Sequence, residues 1–384
     1  MRVLILGGRA PVAVDHARRF ASQGWTVHIG DSLPARLSGW SKSVAKTVRL
    51  PPPRDALPAF AAELSAVIQR ERIDVLLPTC EEVFFVSRVR DRLPEACNVF
   101  AAPFEQLRQL HSKWTFLTHA RDCGIDVPES ARVHDIDAAR QWARGRGVVL
   151  KPEFSRFGVH VRLYPQGIPD DAPPLMSLGT WIVQAFRHGT EICSYSIAVR
   201  GQLRAHVAYR PSYRLAKSSS YYFDPVSAPR IQERVEQFVA QLGFTGQISF
   251  DWIESSTGAL HALECNPRAI SGLHLFDAHD PLPAAIAGES GPLIAPVKPA
   301  PRMLAAIMLT LGLPAAVRRS AAKQWYRDWS RARDALALPG DNGPAFGAIA
   351  DMASLVRISA RDRCSLRVAS TRDIEWDGAA PLEE

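Results

Sequence analysis

The chain has 384 residues, 47% of them hydrophobic and 22% charged. That balance suits two or three globular domains and excludes a fibrous, disordered or disulfide-stapled protein. The formal net charge is +7, and because only seven of the 46 basic residues are lysine, the excess is carried by scattered arginine. A nucleic-acid binder gathers its charge in a patch or tail, so no nucleic-acid partner is expected, and an anionic small substrate such as a nucleotide accounts for the excess as well.

The opening run Met1–Gly8 is too short for a signal peptide. The apolar stretch Met303–Leu313, broken by Gly312 and Pro314, falls short of the roughly 18 residues of a membrane helix. No membrane association and a cytoplasmic location are expected. The cysteines, Cys80, Cys97, Cys123, Cys193, Cys265 and Cys364, show no C-x-x-C spacing, so neither a zinc knuckle nor a redox pair is signalled.

Along the chain, Val3–Leu6 is a buried-strand run ending in Gly7-Gly8. A helical pattern over Val12–Gln23 follows, then a strand at Thr26–Ile29, a helix at Leu57–Arg70 and a strand at Ile73–Pro78. Strands alternating with helices predict a doubly wound parallel-sheet α/β domain over residues 1–105. Gly7-Gly8-Arg9-Ala10-Pro11 does not complete the G-x-G-x-x-G fingerprint of a dinucleotide site.

From His111 the texture changes. Ser112 is placed to cap a helix carrying Lys113, Phe116, Leu117 and Ala120, which Gly124 ends. A helix near Asp137–Arg144 precedes the strand Val148–Lys151. Further β-type runs lie at Trp181–Gln184, Ile192–Val199, Leu203–Ala208, Ile248–Glu254 and Ala259–Glu264, interrupted by an amphipathic helix over Arg230–Leu242. This region, 106–290, reads as α+β with antiparallel pairing. A Pro-rich linker over Pro292–Pro301 opens a C-terminal segment, 291–384, whose pattern assigns no fold.

Two of those strands flank Ser255-Ser256-Thr257-Gly258, a hairpin turn. If Glu254 pairs with Ala259, Asp251 faces Ala262, Glu264 lies diagonally beyond it, and Asn266 follows on the same face. The hairpin thereby gathers Asp251, Glu264 and Asn266 into an oxygen-rich cluster of the kind that suits magnesium on nucleotide phosphates. Arg268 adds a fixed cation. Cys265 alternates to the other face and is read as core.

Leu263-Glu264-Cys265-Asn266-Pro267-Arg268 resembles the E-x-N-x-R signature of ATP-grasp enzymes, among them biotin carboxylase, the carbamoyl phosphate synthase large subunit and many carboxylate–amine ligases. The resemblance extends to about residue 290. It implies an ATP-grasp fold, with an N-terminal α/β domain, a grasp domain of two subdomains hinged near 184–190, and a short C-terminal domain. It implies ATP with two Mg²⁺ ions, for which Mn²⁺ could stand in, held by Asp251, Glu264 and Asn266. Arg268 takes the family's contact to the transferred phosphate. Lys113 and Lys151 fall where the family has its two phosphate-binding lysines. Gln184, Ala185 and Phe186 fall at the adenine-contacting hinge, and Glu191 at the ribose contact. The phosphate loop is often Gly-rich in the family, but here it reads Pro152-Glu153-Phe154-Ser155-Arg156-Phe157-Gly158-Val159. Ser155, Arg156 and Gly158 are the candidates for its contacts.

The implied reaction is ADP-forming ligation: a small-molecule carboxylate is activated as an acyl phosphate and joined to an amine. The sequence names neither substrate, and a homodimer is left open. Tyr209–Arg214 and Lys217–Phe223 read as a polar, aromatic, basic loop, either facing a carboxylate substrate or simply exposed. His274 is read as structural. An ATP-grasp kinase with a stable phosphorylated product, and a nucleotide-binding module without turnover, are the competing readings.

Overall fold

A computed structural model of the chain describes all residues except 35, 156–159, 178, 215–219 and 379–384. The first five strands, β1 (Arg2–Leu6), β2 (Thr26–Asp31), β3 (Lys46–Arg49), β4 (Val75–Leu77) and β5 (Asn98–Val99), form a parallel sheet in the order β3-β2-β1-β4-β5. Val3, Leu4, Ile5 and Leu6 are all buried, as expected of a strand covered on both faces. Helices α1 (Pro11–Ser22), α2 (Leu57–Glu71) and α3 (Glu82–Arg88) accompany it. Proline stands in the first turn of both α1 and α2, where a missing N–H costs nothing.

Helices α4 (Phe104–His111) and α5 (Lys113–Asp122) lead into a four-stranded antiparallel sheet. It comprises β6 (Ser130–Val133), β7 (Val148–Pro152), β8 (Arg162–Tyr164) and β9 (Trp181–Ala185), in the order β6-β9-β7-β8, with helix α6 (Ile136–Ala143) against it. The period of two is strict in β7. Val148 and Leu150 enter a small core with Trp181 and Val183, while Lys151 shares the opposite face with Gln184.

The larger sheet has seven strands, in the order β14-β13-β10-β11-β12-β15-β16. These are β10 (Thr190–Val199), β11 (Gln202–Arg214), β12 (Ser220–Val226), β13 (Gly246–Glu254), β14 (Leu260–Asn266), β15 (Arg302–Met303) and β16 (Arg333–Asp334), with α7 (Pro229–Gln241) between β12 and β13 in the chain. The last two strands show that the C-terminal segment extends this sheet. Its helix Gly343–Asp362 also packs on the 3₁₀ turn Leu37–Trp40 near the N-terminus. No helix among the described residues is long and apolar enough to cross a membrane.

Two sequence expectations are corrected. Tyr209–Arg214 and Ser220–Phe223 are not a loop but paired stretches of β11 and β12. The Tyr213 hydroxyl donates to Asp328 at 2.7 Å and that of Tyr222 to the Asp328 carbonyl at 3.2 Å, so both turn to the C-terminal segment rather than to a substrate. Lys217, Ser218 and Ser219 lie outside the described residues. The hairpin register also differs: Glu254 pairs with Leu260, and Asp251 with Glu264 instead of Ala262. The turn is one residue longer than expected, which moves Glu254 to Leu260 and Ala262 to the core face, and a β-bulge that inserts Leu263 into β14 adds a second residue and brings Glu264 to the site face.

Candidate functional site

Asp251 and Glu264 stand directly opposite each other on β13 and β14, and Ser249 opposite Asn266 two residues along. One sheet face thus holds both carboxylates and the amide. The Asn266 Nδ2 lies 3.5 Å from Glu264 Oε1. Burial, then the neighbouring Glu264 charge, pushes the Asp251 carboxyl well above the usual carboxylate range. For Glu264 burial works the same way, but Lys113 and Lys151 outweigh it and hold its carboxyl low. Two carboxylates forced together in a half-buried place fit a divalent cation, which would neutralise both. Among the described residues no group of three or more His, Cys, Asp and Glu side chains forms a metal cage. Two acids and an amide leave the remaining positions to phosphate oxygens and water, which is how Mg²⁺ is usually held.

The lysines come from two different elements, Lys113 from α5, which packs on β14, and Lys151 from β7 of the four-stranded sheet. Ser112 caps α5, its Oγ accepting from Thr115 N–H at 3.1 Å, and this fixes Lys113 at the first turn. Lys113 is buried. Its Nζ donates to the Ser155 carbonyl at 2.7 Å and lies 4.0 Å from Glu264 Oε2. Lys151 Nζ donates to Gln184 Oε1 at 3.1 Å and to the Leu263 carbonyl at 3.0 Å, so the residue inserted by the bulge carries the acceptor for the lysine. Burial lowers both ammonium groups, that of Lys151 to about 8. A buried ammonium without a full counter-charge is held in a strained state that an incoming polyanion would relieve.

Arg268 follows the strand through a tight turn, its N–H donating to the Asn266 carbonyl at 2.8 Å. Its Nη2 donates to Asn266 Oδ1 at 3.3 Å, and its Nε lies 3.7 Å from Glu81 Oε1. Lys113, Lys151, Asp251, Glu264, Asn266 and Arg268 therefore converge.

The remaining candidates are placed less tightly. The Ala185 N–H is taken by the Glu129 carbonyl at 2.8 Å and that of Phe186 by Gly147 at 2.9 Å. Gln184 offers its side chain as well as its backbone, holding Lys151. Glu191 is exposed and paired with Arg214. The link to β10 passes through Gly189, where a Cβ would fall 2.2 Å from the Glu254 carbonyl oxygen, so only glycine fits. Ser155 supports Lys113 through its carbonyl, while Arg156 and Gly158 lie outside the described residues. His274 is buried, its Nδ1 2.5 Å from Asp15 and its ring stacked on Phe223. Cys265 is buried in the core.

Sequence reasoning missed Glu81 and the Leu263 carbonyl, and read Arg214 as part of a substrate loop where the structure pairs it with Glu191. Glu81 had a signal: it lies just past β4, at the carboxyl end of a parallel strand, where α/β sheets build their sites.

No protein-family profile and no curated protein matches the chain. Solved structures do match. N5-carboxyaminoimidazole synthetase from Staphylococcus aureus superposes with a TM-score of 0.63 at 15% identity, over 83% of this chain and 86% of that one, and has also been solved complexed with ADP. Biotin carboxylase from Campylobacter jejuni gives 0.61 at 14% identity, over 76% and 72%. This chain has the ATP-grasp fold. L-amino acid ligase from Bacillus licheniformis gives 0.54 at 14% identity, over 71% and 68%. At these identities the likeness is one of ATP-grasp architecture, and it agrees with the fold that the E-x-N-x-R stretch implied.

Proposed function

We propose that the chain is an ADP-forming carboxylate–amine ligase that grips ATP between its four-stranded and seven-stranded sheets. The observation that carries this reading is the meeting of two buried lysines, Lys113 from α5 and Lys151 from β7, with two carboxylates on β13 and β14, 4.0 Å apart at Lys113 and Glu264. Asp251, Glu264 and Asn266 would hold Mg²⁺, two ions by analogy with the family, and the metal would neutralise the β- and γ-phosphates. Lys113 and Lys151 bind the phosphate chain, and Arg268 holds the transferring group. The hinge 184–186 meets adenine. Glu191 meets ribose, sharing its charge with Arg214. Phosphoryl transfer needs mainly such positioning and charge stabilisation.

A carboxylate oxygen attacks the γ-phosphorus and the bond to ADP breaks. The amine nitrogen then attacks the acyl carbon, phosphate leaves with the former carboxylate oxygen, and the amine gives up a proton. The substrates are small molecules, and a cytoplasmic setting is part of the proposal. The test is a screen of carboxylate and amine pairs for stimulated ADP release, followed by ligation with an ¹⁸O-labelled carboxylate. One labelled oxygen is expected in inorganic phosphate per ligation. Label in AMP would overturn the mechanism, and label in a stable phosphorylated product would mark a kinase.

A further inference from the structure

Beyond helix Leu366–Thr371 the backbone crosses the carboxyl ends of the parallel strands as a strap, 373–378, that touches both halves of the molecule. Asp373 accepts two hydrogen bonds from the Arg9 guanidinium at 2.7 Å each, one from Ser32, and its carbonyl accepts from Arg54 N–H at 3.1 Å. Ile374 is buried and lines a cavity with Leu6, Gly30, Leu50 and Phe60. Arg54 also binds the Glu375 carbonyl and the Asp377 carboxylate. The strap is thus anchored at both ends, and its centre is Trp376.

Trp376 is 4% exposed. Its ring stacks on Phe84 of α3 at 5.0 Å and meets Phe104 of α4 edge-on at 5.5 Å. It meets Phe154 edge-on at 5.3 Å. Phe154 is the residue before Ser155, whose carbonyl holds Lys113. The backbone N–H of Trp376 donates to Glu81 Oε2 at 3.3 Å, and Glu81 faces Arg268 through its other oxygen. The strap closes on Phe154 a second time at Gly378, where φ is +90° and a Cβ would fall 2.5 Å from the Phe154 ring. One tryptophan therefore touches the residue at the base of the phosphate loop and, through Glu81, the motif arginine.

We infer that the strap is a working part of the phosphate grip, with Trp376 as the positioning residue that sets Phe154 and Glu81, and through them the Ser155 carbonyl and Arg268. The inference rests on the ATP site proposed above and adds the C-terminal segment to it. A tryptophan that merely fills a core would affect the folded fraction alone. A positioning tryptophan also sets ligand affinity in molecules that are folded.

The test is calorimetric titration of the full chain with Mg-ADP, at a temperature where circular dichroism shows each variant folded. Trp376→Ala is expected to weaken binding about tenfold, since small displacements at a phosphate site are costly. Trp376→Phe, which keeps an aromatic contact for Phe154, is expected to recover most of that loss. Gly378→Ala leaves Trp376 in place but drives a methyl into the Phe154 ring, and it too is expected to weaken binding. If Trp376→Ala does not fold, Gly378→Ala and Trp376→Phe decide the matter. Wild-type affinity in the folded variants overturns the inference while leaving the ATP site standing. A wild-type chain that binds no Mg-ADP removes the ATP site and the strap's role together.

Discussion

The two sheets that face the site differ in backing as much as in charge. The four-stranded sheet brings Lys151 and Gln184, and among the described residues its own core has eight buried side chains, including Val133, Val148, Leu150 and Trp181. The seven-stranded sheet brings Asp251, Glu264 and Asn266. Its strands feed both large cores, through Phe250 and Trp252 on one side and Tyr195 and Val207 on the other. Local opening is cheapest where few apolar contacts must be broken. Lys151 therefore rides on a sheet that yields more easily, while the acids, with Lys113 on α5 packed against β14, sit on the better-backed sheet, which is a workable division for a clamp that must admit and release a nucleotide.

The sharpest way to break this comparison is to remove the same side chain from each sheet. Trp252 and Trp181 are both fully buried. Trp252→Ala is expected to cost about 3–5 kcal/mol of global stability, the usual range for a large aromatic lost from a core. Trp181→Ala is expected to cost the global transition less and to raise hydrogen exchange mainly in β6 to β9. Equal losses in denaturant melts would show that both sheets are equally rigid.

Next in size is the acid face. Glu264→Gln keeps the shape and removes a charge, and turnover is expected to fall by about 10²–10³-fold, the scale of losing one preorganised electrostatic contact. The Tm without ligand is expected to stay close to wild type, because Asp251, relieved of its like-charged neighbour, takes over as counter-ion to the lysines. A fully active variant would show that the hairpin acids are not ligands.

On the cation face, Lys151→Ala is expected to weaken Mg-ADP binding by about 1.5–3 kcal/mol, the range for a hydrogen bond to a charged group. Calorimetry of Lys113→Ala and Lys151→Ala decides the point, and unchanged affinity in both would withdraw the lysines from the site.

The smallest expected effect is pH. Burial lowers the Lys151 ammonium to about 8 from an ordinary 10.5, so the cation is lost as pH rises through 8. Affinity for Mg-ADP should fall above that point, approaching tenfold per pH unit, and the profile should flatten in Lys151→Ala. Stability without ligand has the opposite sign. Between about 8 and 10.5 the unfolded chain binds the proton that the folded chain has released, so Lys151 makes the fold more stable as pH rises. Denaturant melts at pH 7 and pH 9 read that second effect separately.

What was legible in the sequence was what repeats locally. The acid face of the hairpin follows from alternation, and the cap at Ser112 from one residue. The bulge at Leu263 was not legible, because an extra residue leaves no mark on a pattern of period two. Added to a turn one residue longer than expected, it moved the partner of Asp251 by two residues, from Ala262 to Glu264, and so kept both acids on one face. The run Tyr209–Phe223 looked like a loop because its strands are rich in polar and aromatic residues. Tyr213 and Tyr222 are explained only by Asp328, more than a hundred residues on. Trp376 was illegible for the same reason: its partners Phe84, Phe104 and Phe154 are more than 200 residues upstream.

That remoteness has a consequence for how the molecule is made. Arg9 leaves the ribosome well ahead of its second carboxylate partner, Asp373, which follows 364 positions later. Until then the mouth of the parallel sheet carries a guanidinium with Asp31 as its anchor, and the aromatic faces of Phe84 and Phe104 lack their cover. Synthesis at about 5–20 residues per second leaves that mouth open for tens of seconds. During that interval a nascent chain presents a charged, apolar opening to chaperones, which the arrival of a few C-terminal residues then shuts.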